Sequence, residues 1–341
     1  MSRRSLVVLR NPVPNWDASV LEPRFDFDLI RQQTQAEYAS FDTRRLAFLS
    51  NEAGTNNATG AALRAWSARA DVDNIFTTGE DIAFRLLPML QASGWKGQLF
   101  SVIHACQGPK WQLAARLLGT RSVGAYFTVA NLQRDFLVKN ANLPAGKVHF
   151  LYDSVDADFF DPDKAIADPG ESYAFACGLE NRDYATLAAA VAGLRMPVRV
   201  QSSGFFPNDT QPGKDTQENL AISRTRISFS ELRDLYGSAR FIVVPLHSVS
   251  YAAGVNGLLE GMAMGKAVIV SGSPGLADYT GIDSVITVPV ADPASLAAAM
   301  DALWRDPAAC EQMGRANRDW VLRNATIETY ATTISNQMLE A

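Results

Sequence analysis

The 341-residue sequence has few of the residues that staple or metallate a fold. It holds three cysteines and three histidines. Cys106, Cys177 and Cys310 lie far apart and form no CxxC pair, so no disulfide framework is expected and a reducing compartment fits. No paired-histidine spacing suggests a metal. The charge balance is not basic: the net charge of −5 argues against a general nucleic-acid binder. No apolar run reaches the roughly 18 residues of a spanning helix. The opening MSRRSLVVLRN is basic and then apolar, but Asn and Pro cut its run too short for a signal-peptide core. No solenoid-period repeat or low-complexity tract is present. A cytoplasmic location is expected, with a peripheral membrane contact left open.

What is present is apolar and alternating. Hydrophobic residues make up 47% of the chain, ample for cores, and the length is a prior for about two domains. The most informative stretch is 241–280. FIVVPL (241–246) reads as a strand buried on both faces. A polar, glycine-containing loop follows, then the helix-compatible GLLEGMAM (257–264), which Gly265 can stop. AVIVS (267–271) is a second buried strand, closed by Gly272, Pro274 and Gly275. The loop therefore ends at a helix N-terminus, where free N–H groups and a partial positive charge suit a phosphate. Gly254 and Gly257 let the backbone approach a ligand because neither has a Cβ. Glu260 lies about one turn into the helix, where a carboxylate can accept from sugar hydroxyls. An ordinary α/β repeat with a helix-capping loop is the alternative reading.

The segment LLEGMAMGKAVIVSGSPG (258–275) resembles the donor-binding segment of glycosyltransferase family 4, retaining sugar transferases of the GT-B fold. That family reads LLEAMAxGKPVI here. Glu260 matches the second of two glutamates that many members carry, the one that holds the nucleotide ribose. The first falls at Ala252 and is absent. GLENRDYATL (178–187) resembles the segment that opens the donor domain, with Arg182 at the place of the lysine that pairs with the donor diphosphate. Leu179 replaces an earlier arginine. His104, in SVIHACQG (101–108), ends an expected strand as does a family histidine that faces the donor sugar. The resemblance implies that His104 bonds the transferred sugar or orients the acceptor hydroxyl; a structural histidine is the alternative. VHFLYDSVDADFFDP (148–162) resembles the hinge entry, keeping Asp156, Phe160 and Pro162. The first loop, RNPVPNWD (10–17), lacks the glycine pair of many members.

Strands are expected at 5–9, 25–30, 46–49, 73–77, 98–103, 173–177, 198–201 and 285–288. Helices are expected at 59–70, 78–92, 184–194, 294–304 and 230–238, the last with Ser230 as N-cap. Residues 164–171 read as a linker and 205–224 as an exposed irregular loop. DxD occurs at 26–28, 71–73, 156–158 and 161–163, too often to mark a metal–diphosphate site. Lys110, Trp111, Arg116 and Arg121 flank the helix candidate WQLAARLLG (111–119). Such a basic, Trp-bearing segment can rest on an anionic membrane, as in related lipid-modifying transferases, but an ordinary solvated face is the reading preferred here.

Strands alternating with helices, twice over, predict two doubly wound α/β domains. The resemblance implies that these are Rossmann-like domains facing each other across a cleft: 1–163 on the acceptor side and 172–320 for the donor. A C-terminal helix (about 321–341) returns to the first, anchored by Trp320 and Tyr330. The implied function is transfer from a nucleotide-diphosphate sugar, with UDP expected, to a lipid, glycan or other hydroxyl acceptor, with retention. Gly178, Arg182, Gly254, Val255, Asn256 and Gly257 would meet the diphosphate, Glu260 the ribose, and Arg182 and His104 would serve catalysis. No metal or cofactor is expected. A nucleotide-sugar epimerase on the same fold, and a silent binding or partner subunit, are the alternatives.

Overall fold

Runs of Val, Ile and Phe form the strands, and these assemble into two separate sheets. The computed structural model describes residues 4–10, 22–40, 53–106, 108–166, 170, 172–203 and 214–341. The loop at 11–17 and the strand expected at 46–49 lie outside these residues. The chain divides into two units.

The first unit holds Phe25–Tyr152, Glu328–Ala341 and the first strand. Its elements are β1 (Ser5–Val8), α1 (Asp26–Thr34), β2 (Glu37–Ala39), α2 (Ala53–Ala68), β3 (Asn74–Thr77), α3 (Glu80–Ala92), β4 (Gln98–Ile103), α4 (Pro109–Leu118), β5 (Val123–Thr128), α5 (Asn131–Asp135) and β6 (Val148–Phe150). The sheet order is β2-β1-β3-β4-β5-β6, all parallel, and it reverses at β1 as in a doubly wound sheet.

The second unit, Asp153–Ile327 with Arg24, contains β7 (Tyr173–Cys177), α6 (Tyr184–Val191), β8 (Val198–Gln201), β9 (Lys214–Gln217), β10 (Leu220–Ser223), α7 (Phe229–Ser238), β11 (Ala239–Val244), α8 (Val255–Ala263), β12 (Ala267–Ser271), α9 (Ala277–Thr280), β13 (Val285–Val288), α10 (Pro293–Arg305) and α11 (Pro307–Asn324). Its order is β13-β12-β11-β7-β8-β10-β9, parallel except for β9. The last helix, α12 (Ile327–Glu340), carries the chain into the first unit. There Asn74 Nδ2 donates to Met338 O (2.6 Å), Gln98 Nε2 donates to Ala341 O (3.1 Å), and Tyr330 is buried. Trp320 stays on α11 in the second unit.

Four expectations are corrected. Residues 25–30 form the start of α1, not a strand. The alternation of Phe25, Phe27 and Leu29 suggested period two, but Ile30 and Thr34 share the buried helical face. Asp26 and Asp28 also suit a helix N-terminus. Residues 205–224 include the β9–β10 hairpin: the edge strand β9 (KDTQ) is polar and pairs through its backbone, and β10 (LAIS) gives only a four-residue apolar run, with Leu220 reaching the core. The N-cap of α7 is Ser228, not Ser230. Its hydroxyl accepts from Glu231 N, while Glu231 Oε2 accepts from Ser228 N (2.7 Å), a capping box. Finally, the first unit ends at Tyr152 rather than 163, because the chain beyond it bonds into the second unit. Asp153 N donates to Tyr279 OH (2.8 Å), and Arg24 grips buried Asp156 through its backbone N (2.7 Å) and Nη2 (2.6 Å). Burial opposes ionisation of Asp156, but Arg24 outweighs it and holds the pKa below the usual range.

α8 is seated by close backbone packing. A Cβ on Gly261 would lie 2.9 Å from Ile242 Cγ1 of β11. Gly265, at φ +65°, ends the helix, and Gly314 of α11 presses on its carbonyl with no room for a side chain. Asn317 Nδ2 donates to Lys266 O (2.9 Å) beside it. Gly314→Ala should therefore destabilise the protein by about 1–3 kcal/mol. Denaturant unfolding checks this; a loss below about 0.5 kcal/mol would make the packing incidental.

Candidate functional site

Loops leave the carboxyl ends of β7, β11 and β12 where the strand order of the second sheet reverses, between β7 and β11. Open α/β sheets bind ligands at such points. The first loop begins at Gly178, whose φ is +103°; a Cβ there would lie 2.5 Å from Arg182 Nη2. Glycine alone leaves this room. The Arg182 guanidinium folds into it, donating from Nε to Cys177 O (2.9 Å) and from Nη1 to Glu180 O (2.9 Å). Nη2 has no acceptor among the described residues. It lies beside Gly257, where a Cβ would be 3.6 Å away. Asp183 closes the loop by capping α6, accepting from Thr186 N (2.9 Å) and Oγ1 (2.7 Å).

The second loop, 245–254, is fastened on both sides. Arg182 forms an antiparallel bridge with Leu246, Asp183 N donates to Pro245 O (3.0 Å), and His247 N donates to Asn181 O (3.1 Å). Tyr251 donates its hydroxyl to Glu180 and accepts from Asn181 Nδ2. From the third loop, Ser273 Oγ accepts from Val249 N (3.0 Å) and donates to Val249 O (3.0 Å). Gly275 packs against the Tyr251 backbone with no space for a Cβ.

This braced loop delivers the start of α8. Gly254 is its N-cap at φ +88°, and a Cβ there would lie 2.9 Å from Leu246 Cδ2. No side chain caps the helix. Val255 N donates to Ala252 O (3.3 Å) in the turn before the helix, and the first intrahelical bond is Leu258 N to Gly254 O (3.1 Å), so the N–H groups of Asn256 and Gly257 are left to add the positive end of the helix dipole. Val255 and Gly257 are buried, while Asn256 is exposed.

Glu260 follows on α8 and is partly buried. Its Oε2 accepts from Tyr236 OH (2.8 Å), and that oxygen lies 2.8 Å from Cys177 Sγ. Burial pushes the Glu260 carboxyl up to about 7, against the lowering pull of the Tyr236 bond and the Arg182 charge. Burial, with Cys177 and Glu260 nearby, holds Tyr236 protonated as a donor. The Cys177 thiol is pushed up to about 12 mainly by burial, so it is not a nucleophile at neutral pH.

Gly178, Arg182, Gly254, Val255, Asn256, Gly257 and Glu260 thus come together on one unit. His104 stands in the other, exposed just past β4. Glu80 accepts from His104 N (3.0 Å) and Ala105 N (3.2 Å), which fixes the strand-end turn. Ring Nε2 is 3.3 Å from Thr78 O, a carbonyl that can only accept, so Nε2 is the donor in this contact. Among the described residues, no three His, Cys, Asp or Glu side chains gather as a metal-binding group. Tyr236, Tyr251, Asn181 and Ser273 escaped sequence reasoning. Asn181 sits at φ +52°, a conformation Asn tolerates, so the turn was open to that inference. The tyrosines read simply as core.

Residues 179–306 match the family model described as "Glycosyl transferases group 1", a span that takes in Arg182, the second and third loops and α8 but not Gly178. No curated protein matches the sequence. Among solved structures, a glycosyltransferase from Rickettsia africae is 14% identical, with 99% of each chain covered and a TM-score of 0.70. Sucrose-phosphate synthase from Thermosynechococcus elongatus is 13% identical, with 98% of this chain and 97% of that one covered and a TM-score of 0.73. Anabaena HepE in complex with UDP-glucose is 10% identical, with 99% and 100% covered and a TM-score of 0.69. The chain has the GT-B fold of glycosyltransferases, and its second unit contains a group 1-like domain.

The buried carboxyl makes stability depend on pH. Folded Glu260 keeps its proton up to about 7, whereas its ordinary value is 4.5, so the native state binds more protons across that window. Stability should fall as pH rises from 4.5 to 7, by on the order of 2–3 kcal/mol. Glu260→Gln should flatten that slope in urea unfolding at stepped pH; an unchanged slope would place the titration elsewhere.

Proposed function

We propose that the protein is a glycosyltransferase that moves a sugar from a nucleotide-diphosphate sugar, with UDP-sugar as the expected donor, to a hydroxyl acceptor. The carrying observation is the Arg182 guanidinium, fixed by two carbonyls with Nη2 turned toward the uncapped start of α8. Breaking the sugar–phosphate bond leaves a diphosphate with added negative charge. Arg182 and the α8 N–H groups supply donors already oriented for it, the cheapest way to stabilise charge that develops in a transition state. Because this positive charge comes from the chain itself, the transfer is proposed to need no metal. Glu260 accepts from the ribose hydroxyls in its ionised form. A role for His104 on the sugar or the acceptor rests on the family resemblance alone. Retention of configuration rests on the family resemblance, and a cytoplasmic location on the unpaired cysteines. The choice of UDP is supported by HepE, whose structure holds UDP-glucose, and by the Burkholderia xenovorans trehalose-phosphate synthase, described as UDP-forming.

A thermal-shift panel of UDP-, GDP- and ADP-sugars tests this, since a ligand that binds only the native state raises its melting temperature. A UDP-sugar should give the largest rise. Arg182→Ala should weaken its binding about tenfold or more, and binding should tighten as pH rises through about 7, where Glu260 ionises. No shift with any nucleotide sugar, or unchanged affinity in Arg182→Ala, would refute the proposal. Sugar isomerisation without an acceptor would instead mark an epimerase.

A further inference from the structure

α4 presents an apolar stripe to solvent. Leu113 is 59% exposed and Leu117 is 71% exposed. They are four residues apart, so they share one face. Among the described residues, no other helix shows two large exposed apolar side chains one turn apart. These leucines are not misplaced core. The opposite face, with Trp111, Ala115 and Leu118, already packs into the first unit's core, and the Trp111 ring lies 5.6 Å from Phe84.

Charge frames the stripe. Lys110 and Arg116, both exposed, border it three residues to either side of Leu113. Lys110 is held with Nζ 4.9 Å over the Trp111 ring. α4 itself carries no acid. Around it, residues 82–134 contain Arg85, Lys96, Lys110, Arg116, Arg121 and Arg134 but no Asp or Glu, in a chain whose net charge is −5. An apolar strip between cations, inside an acid-free stretch of an acidic protein, complements an anionic surface with an apolar interior. A second copy of the same face would set cation against cation. The exposure of both leucines thus reverses the preference, drawn from sequence, for an ordinary solvated face.

We propose that the outward face of α4 docks on an anionic lipid bilayer. Leu113 and Leu117 enter the acyl boundary, while Lys110 and Arg116 meet the headgroup charge. The helix lies in the interface, since no described helix is long and apolar enough to cross a membrane. Docking stands independently of the transferase reading. Combined with that reading, it sets the acceptor class as a hydroxyl on a membrane lipid.

The test is co-sedimentation of the full chain with vesicles of phosphatidylglycerol and phosphatidylcholine, against phosphatidylcholine alone. Wild type should bind the anionic vesicles and release with added salt. Leu113→Ser with Leu117→Ser should lower vesicle affinity about tenfold or more, and Lys110→Gln with Arg116→Gln about fivefold per cation. All four side chains are exposed, so folding and UDP-sugar binding should be unchanged in both variants. Failure of the donor panel alone would therefore leave docking standing. No binding to anionic vesicles, or equal affinity in the leucine variant, would overturn the proposal. So would a wild-type dimer that the leucine variant dissolves, which would assign the face to a second copy.

Discussion

The site depends on one steric allowance. Gly178 has no side chain, and the Arg182 guanidinium fills the space a Cβ would take. That placement lets Nε and Nη1 bond the carbonyls of Cys177 and Glu180, so the charge is fixed before any ligand arrives. A free surface arginine would have to be ordered at the moment of binding, at a cost in side-chain entropy. Here the turn after β7 has already met that cost. The same turn bonds the loop after β11, so the position of Arg182 and the start of α8 are set together.

Tyr236 and Tyr251 complete this coupling at different depths. Tyr251 joins the first two loops near the surface through Glu180 and Asn181. Tyr236, rising from α7, reaches Glu260 from beneath and sits against Cys177 at the end of β7. Glu260 is thereby oriented but only partly relieved of its burial, which keeps its carboxyl near 7. A carboxylate so placed gains from any hydroxyl that donates to it. The chain lacks a glutamate at Ala252, and the Tyr251 ties brace the loop at the neighbouring position.

Much of the second unit was legible because its signals are local. FIVV and AVIVS are buried on both faces and bounded by loop residues, so β11, α8 and β12 follow from pattern alone. Strands 98–103, 173–177, 198–201 and 285–288 coincide with β4, β7, β8 and β13 for the same reason. What failed was either edge or context. The β9–β10 hairpin pairs by backbone, and α1 carries an alternation that mimics a strand until Ile30 and Thr34 show which face is buried. The site's backbone half was readable from its glycines. Its supporting hydroxyls were not, because no local pattern separates a tyrosine that bonds Glu260 from one that only fills a core.

In the proposed site a pre-set arginine and an uncapped helix start share one anion. A crystal structure of the protein soaked with a UDP-sugar measures this most directly. Diphosphate oxygens are expected within hydrogen-bonding distance of Arg182 Nη2 and the backbone N–H groups of Asn256 and Gly257, with ribose hydroxyls on Glu260. A nucleotide bound elsewhere, or a diphosphate held through an essential divalent ion, would contradict it.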